Sequence, residues 1–246
     1  WFTARMSDAA RPGVPGTVPG GADAALRTPR PGGRVEVVCG PMFAGKTEEL
    51  LRRVRRAEVA GRRVEVVGHV LDTRRGTGTV SSHSGLAIPS RTARDAPDLE
   101  RIVRGAGALD LVAVDEAHFF GPGLVDVVQR LADGGLVVVV AGLDITFDAR
   151  PFEPLPTLAA LAERVDKLTA VCAVCGEDAA FHVRVVREPD PDGRGPGDPL
   201  APVAEHVGGA ESYEARCRVH LPAAPWRPQS GGDPGPGVSS TSGTNE

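Results

Sequence analysis

Aromatic residues are scarce in this chain: Phe, Trp and Tyr make up 4% of 246 residues, with one Tyr and two Trp. With hydrophobic residues at 41%, a core can still form, but Val, Ala and Leu must fill it. Long apolar runs are missing too. None approaches the roughly 18 residues of a membrane-spanning helix, so no membrane partner is expected. Positive charge is not in excess either. The formal net charge is −4, which argues against a protein that grips nucleic acid by neutralising phosphates. A pocket for a small anion is not excluded, because local donors decide there. The first residues, Trp1 to Arg5, lack the charged and apolar segments of a secretory signal. A cytoplasmic location is therefore expected, with Met6 as a candidate start. Only four cysteines are present, and in a reducing compartment they are ligands or core residues more often than disulfides.

Residues 1–33 are rich in Gly, Pro, Ala and Arg, and residues 223–246 in Pro, Gly and Ser. Neither shows apolar periodicity, and both are predicted to be disordered tails. Between them, residues 34–165 alternate short Val-rich runs with helical spacing. Strands are predicted at Val35–Cys39, Arg63–Gly68, Leu109–Val114 and Leu136–Ala141. Helices are predicted over Glu48–Ala60, with Gly61 as its stop, and over Ala96–Arg104 and Gly123–Asp133. The first helix groups Leu50, Leu51 and Val54 on one face and turns Arg52, Arg53, Arg55 and Arg56 elsewhere. Such alternation implies an α/β fold, a parallel sheet covered on both faces. A helix over Leu155–Arg164 and a strand over Lys167–Val171 then lead into residues 166–222, a smaller unit that holds two cysteine clusters. Glu188–Pro202, rich in Pro, Gly and Asp, is predicted to be a mobile loop.

Gly40-Pro41-Met42-Phe43-Ala44-Gly45-Lys46-Thr47 fits G-x-x-x-x-G-K-[ST], with a strand before it and a helix after. In that setting backbone N–H groups and a helix N-terminus cradle phosphates. Lys46 supplies a point charge to the β- and γ-phosphates of ATP, and the Thr47 hydroxyl is a ligand for Mg²⁺. Downstream, the apolar run Val112–Val114 ends on Asp115 and Glu116. A carboxylate at such a strand tip holds Mg²⁺, and a second one accepts a proton.

Asp115-Glu116-Ala117-His118 also spells the label of a helicase class. About 190 residues lie between the tails, which is room for one domain of ~100–200 residues rather than the two a motor needs. The acidic balance suits a nucleic-acid track poorly. A non-catalytic zinc adaptor on a decayed phosphate loop is the third reading, although Lys46, Thr47, Asp115 and Glu116 are all in place. ATP turnover separates the three: a kinase needs its acceptor, a motor is stimulated by DNA or RNA, and an adaptor does neither.

Cys172-Ala-Val-Cys175 and Cys217-Arg-Val-His220 are separated by 41 residues. Two such pairs offer the four ligands of a closed, structural Zn²⁺ site. Unrelated buried pairs are the alternative, and His220 is the weakest of the four ligands. Cys39, at the end of a buried strand, reads as a small core residue.

Several segments in order resemble one family, the type II (cellular-type) thymidine kinases, over roughly residues 34–221. They are Gly40–Leu50; Asp72-Thr73-Arg74 with His83-Ser84-Gly85; Asp115–Phe120; Gly142-Leu143-Asp144 with Phe147 and Pro151-Phe152; Lys167–Cys172; and Gly208–Tyr213 with Cys217-Arg218. The resemblance implies a P-loop (RecA-like) parallel sheet flanked by helices, with a small C-terminal zinc-binding lasso. It implies transfer of the γ-phosphoryl of ATP to the 5′-hydroxyl of thymidine, giving dTMP in nucleotide salvage for DNA synthesis. A broader deoxynucleoside kinase is the neighbouring alternative. Glu116 would be the general base, with Lys46, Mg²⁺ (held by Thr47 and Asp115) and Arg74 neutralising charge. Gly40 to Thr47, Arg74 and Asp115, Glu116, Ala117 and His118 would surround ATP. Phe119, Leu143 and Phe147 would form an apolar wall, and His182, Val207, Gly208 and Tyr213 would meet the base. Phe120 and Phe152 read as ordinary core. A homotetramer and feedback inhibition by dTTP are further implications. The chain departs from the family pattern at Ala44, where Ser is common, at His118, where Gln is usual, and at His182, where Thr is frequent.

Overall fold

The computed structural model describes residues 32–71, 79–81, 87–185 and 212–227. In chain order the elements are β1 (Arg34–Cys39), α1 (Lys46–Val59), β2 (Val64–His69), β3 (Thr79–Ser81), β4 (Ala87–Pro89), β5 (Arg91–Ala93), α2 (Ala96–Gly105) and β6 (Leu111–Val114). A 3-10 turn (Ala117–Phe120) follows, then α3 (Leu124–Asp133), β7 (Val137–Gly142), α4 (Leu155–Leu161), β8 (Arg164–Lys167), β9 (Ala170–Val171), β10 (Asp178–Ala179), β11 (Phe181–Arg184) and β12 (Tyr213–Arg216).

Six strands form one sheet in the order β5-β2-β6-β7-β1-β8, parallel throughout. Period-2 alternation sends neighbouring side chains to opposite faces. Val35, Val37, Val138 and Val140 face α2, α3 and α4. Val38, Val137, Val139 and Ala141 face α1. All six residues of β7 are buried, which explains why its sequence is a continuous apolar run rather than an alternating one. At the start of α2, Asp95 accepts a hydrogen bond from Asp98 N (2.8 Å) and so caps the helix. No helix among the described residues is long and apolar enough to cross a membrane.

The expected α/β architecture is present, with differences at its margins. Helix α1 begins at Lys46, two residues earlier than its apolar spacing suggests, because the phosphate loop runs straight into it. The helix predicted to reach Arg164 ends at Leu161, which is exposed, so the apolar repeat has nothing left to bury. Glu163 then joins β1: its N–H donates to Val35 O (3.1 Å) and its carboxylate accepts from Val35 N (2.7 Å). The strand predicted over Lys167–Val171 is two strands. Its first residue closes β8 in the main sheet, and Ala170–Val171 pairs with β10 in a separate ribbon.

Arg53, which the helical spacing sets off the apolar face, is nevertheless 8% exposed. Its guanidinium binds Glu36 on β1 (2.8 Å), Glu49 on its own helix (2.9 Å) and Asp166 on β8. A buried charge is tolerable only when so paired, and this one ties α1 to two strands.

Candidate active site and metal cluster

The candidate site lies at the strand tips. Ligands in open parallel sheets bind beyond the carboxyl ends of the strands, and β1, β6 and β7 all end on the same edge. From β1 the chain turns at Gly40 (φ 142°), and a Cβ there would stand 2.4 Å from Leu168 O. The close approach is fixed by Leu168 N donating to Cys39 O (2.8 Å). The loop continues through Pro41, Met42, Phe43 (φ 68°) and Ala44 to Gly45 (φ 78°), the N-terminal cap position of α1. Lys46 Nζ donates to Pro41 O (2.7 Å), so the lysine curls across its own loop.

The loop and the tip of β6 meet directly. Thr47 Oγ1 donates to Asp115 Oδ2 (3.1 Å), while Asp115 Oδ1 accepts from Glu116 N (3.0 Å). Asp115 is buried. Glu116 lies in the left-handed region (φ 49°), a conformation non-glycine residues adopt only when their surroundings hold it there. Lys46 and Glu116 thus adjoin the two ends of one hydrogen bond rather than opposite sides of the sheet.

A row of rings lines this edge. His118 lies 4.2 Å from Phe119 and 5.1 Å from Phe152, and Phe119 lies 5.6 Å from His69. Phe120 is buried edge-on against His69 at 4.7 Å, in keeping with a core role; Phe152 is only half-buried. Leu143 and Phe147, beyond β7, are half-buried. Ala117 is fully buried beneath the turn.

Sequence reasoning left His69 and Asp144 out of the site. His69 Nδ1 accepts from Leu71 N (3.1 Å), so its Nε2–H donates to Arg94 O (3.0 Å). Burial, opposed by that carbonyl, holds its pKa below the usual value. Asp144 Oδ2 pairs with Lys167 Nζ (2.6 Å), whereas Oδ1 is buried with no hydrogen-bond partner among the described residues. The same carboxylate, after burial, helps push the Cys39 thiol up to about 12; Cys39 stays a protonated core residue. The available signal for both was position, since each stands at a strand's carboxyl end.

On β11, His182 is 3% exposed and its Nδ1 has no partner among the described residues. Its pKa is lowered to about 4, first by burial, then by its neighbours Lys46 and His118, with Asp144 opposing. His182 therefore lies within electrostatic reach of the phosphate loop and of both strand tips. Tyr213 on β12 is buried, its ring 5.9 Å from His182, and burial raises its pKa. Arg74, Val207 and Gly208 lie outside the described residues, as do Asp72-Thr73, His83–Gly85, Gly209 to Glu211, the 188–202 segment and most of both tails.

Cys172, Cys175, Cys217 and His220 place one ligand atom each within 4.8 Å of the others. The Cys175 and Cys217 sulfurs are 3.8 Å apart, too far for a disulfide. Tetrahedral Zn–S bonds of about 2.3 Å require ligand sulfurs about 3.8 Å apart, so the spacing fits zinc. Burial disfavours a Cys172 thiolate, but N–H donors from Cys217, Val174 and Cys175 outweigh it and bring the pKa to about 6. Ala44 of the phosphate loop packs against the small core around Cys172 and Cys217. Ile145, beyond β7, packs against Phe181, Val183 and Leu221 of the same module.

A family model described as thymidine kinase matches residues 33–221. The chain is similar to a thymidine kinase of Deinococcus radiodurans, 44% identical over 214 residues that cover 84% of this chain and 95% of the relative. It is also similar to a thymidine kinase of Halobacterium salinarum, 46% identical over 190 residues, 76% of this chain and 92% of the relative. A third, from Rhodothermus sp., is 45% identical over 186 residues, 76% of this chain and 80% of the relative.

Proposed function

The chain belongs to the thymidine kinase family, and from that premise we propose that it transfers the γ-phosphoryl of ATP to the 5′-hydroxyl of thymidine. The observation that carries the reading is the Thr47–Asp115 hydrogen bond, which joins a phosphate loop to a carboxylate strand tip. Lys46 exchanges Pro41 O for the β- and γ-phosphates, and the N–H groups of Met42 to Thr47 wrap the triphosphate. The Thr47 hydroxyl and the Asp115 carboxylate are hard oxygen donors side by side, the set that Mg²⁺ takes. Magnesium, when bound, neutralises charge developing on the transferred group. Glu116, one residue on, accepts the proton of the 5′-hydroxyl as that oxygen attacks.

Phe119, Leu143 and Phe147 provide apolar surface for the base. His182 and Tyr213 face it from the module, together with Val207 and Gly208 in the lasso. Two buried atoms without partners among the described residues, His182 Nδ1 and Asp144 Oδ1, support a pocket made to receive polar groups. The Cys172, Cys175, Cys217 and His220 cluster holds a structural zinc, which leaves no coordination position for chemistry. Four reduced cysteines suit the cytoplasm. A homotetramer inhibited by dTTP completes the proposal, and size-exclusion chromatography with a dTTP titration tests it.

His182 favours one second reading, a deoxynucleoside kinase of wider range, because a neutral imidazole can either donate to or accept from a base. A panel of nucleosides with MgATP, scored as 5′-monophosphate, tests both. Thymidine is expected to be preferred. ATP turnover without a nucleoside, stimulated by DNA or RNA, would overturn the kinase reading.

A further inference from the structure

The assignment of Glu116 as base leaves open what holds it in a left-handed conformation, and on that reading we propose that His118 is its positioning residue. The ring is 6% exposed, and Phe119 (4.2 Å) and Phe152 (5.1 Å) fix its plane. In that plane Nδ1 accepts a hydrogen bond from Leu143 N (3.2 Å). Nδ1 therefore carries no hydrogen, and the neutral ring keeps its proton on Nε2. The same Nδ1 lies 3.6 Å from Glu116 Oε2. A lone pair committed to Leu143 cannot donate to a carboxylate, so the imidazole bounds the base on one side without capping it.

The bond also joins two strand tips. Glu116 and His118 belong to the turn after β6, and Leu143 follows β7. Between them, a Cβ on Gly142 would stand 3.2 Å from both His118 Nδ1 and Ala117 N and 3.0 Å from Leu155. Glycine there lets the turn close onto β7 tightly enough for the hydrogen bond to form. The base and the Leu143 wall of the pocket then move as one piece. A misplacement of ~1 Å at such a site costs on the order of 100-fold in rate.

Two variants separate this role from ring packing. H118F keeps an aromatic ring and loses the acceptor. H118N loses the ring and offers an amide oxygen at the position of Nδ1. Both are assayed for kcat, for KM of ATP and thymidine, and for thermal melting, beside E116Q as control. For H118F, kcat is expected to fall on the order of 100-fold, with both KM values within about two-fold and an unchanged melt. For H118N, recovery to within about ten-fold of the parent is expected. An H118F enzyme with parental kcat would overturn the proposal. So would an H118N enzyme as impaired as H118F, or losses of kcat, KM and melting temperature in step, since each would mean packing alone. If H118F does not fold, H118L replaces it, removing the acceptor without a larger ring. Near-parental turnover by E116Q would instead refute the base assignment and leave the His118 hydrogen bond as scaffold.

Discussion

The six-stranded sheet and the cysteine-histidine module stay folded for different reasons. In the sheet, Val37, Val112, Val138 and Val140 are fully buried, each contributing roughly 1.5–3 kcal/mol by leaving water. Among its described residues the module has a pair of two-stranded ribbons, a core of Ala170, Cys172, Ala179, Ala215 and Cys217, and a second core in which Phe181, Val183 and Leu221 pack with Ala149. Val171, Val174 and Val219 remain 56–81% exposed. Two cores this small bury too little area to offset chain entropy, so ligation must supply what packing does not. On the proposed reading, the reacting groups stand on the sheet's rim, while His182 and Tyr213, proposed to meet the base, stand on the part whose order is conditional. Ala44 and Ile145 connect the two.

The largest effect expected is from metal loss. Chelation, or Cys172→Ser, should remove about one zinc per chain and on the order of 10 kcal/mol of module stability. Hydrogen exchange should then show β9 to β12 open while β1, β6 and β7 stay protected. Simultaneous loss of both would erase the distinction drawn here. Glu116→Gln should lower kcat about 10²–10⁴-fold, with ATP binding and the melting curve intact, because chemistry at the rim is separable from the fold. Next comes Arg53→Ala, which removes the shared partner of Glu36, Glu49 and Asp166 and leaves the buried Glu36 carboxylate paired with Arg34. Denaturant titration should record a loss of about 2 kcal/mol in the sheet's transition, with the module's zinc content unchanged.

The smallest shift concerns pH. With a folded pKa of about 4 against 6.5 for the ordinary group, His182 binds its proton more readily in the unfolded chain. Its contribution is complete above about pH 6.5 and is lost as pH falls towards 4. His182→Gln should flatten that part of the stability curve, read by thermal melting across the pH range. An unaltered slope would mean that His182 is not buried without charge.

Much of the sheet was legible because β1, β2, β6 and β7 are Val-rich runs with clear turn signals after them. Strand β5 was not, since three residues (Arg91–Ala93) hold too few alternations to show a period, and β8 straddles the gap between a helix read as far as Arg164 and a strand read from Lys167. The burial of Arg53 was not legible because a helical wheel registers polarity and cannot register three carboxylates converging on one guanidinium. At the site, the phosphate loop and Asp115–Glu116 announced themselves by motif. The Thr47–Asp115 contact, the burial of the Asp144 carboxylate and the ring contacts of His69 arise only when distant segments meet, and no local pattern encodes them.

Gly40 opens a phosphate loop, and a survey of loss-of-function variants would score it as a nucleotide residue. Its missing side chain answers first to a carbonyl, that of Leu168, on the segment that follows β8. A catalytically dead version of this protein, kept only as a scaffold, would therefore still reject alanine there. At that position, genetics alone cannot tell a broken enzyme from a broken shape.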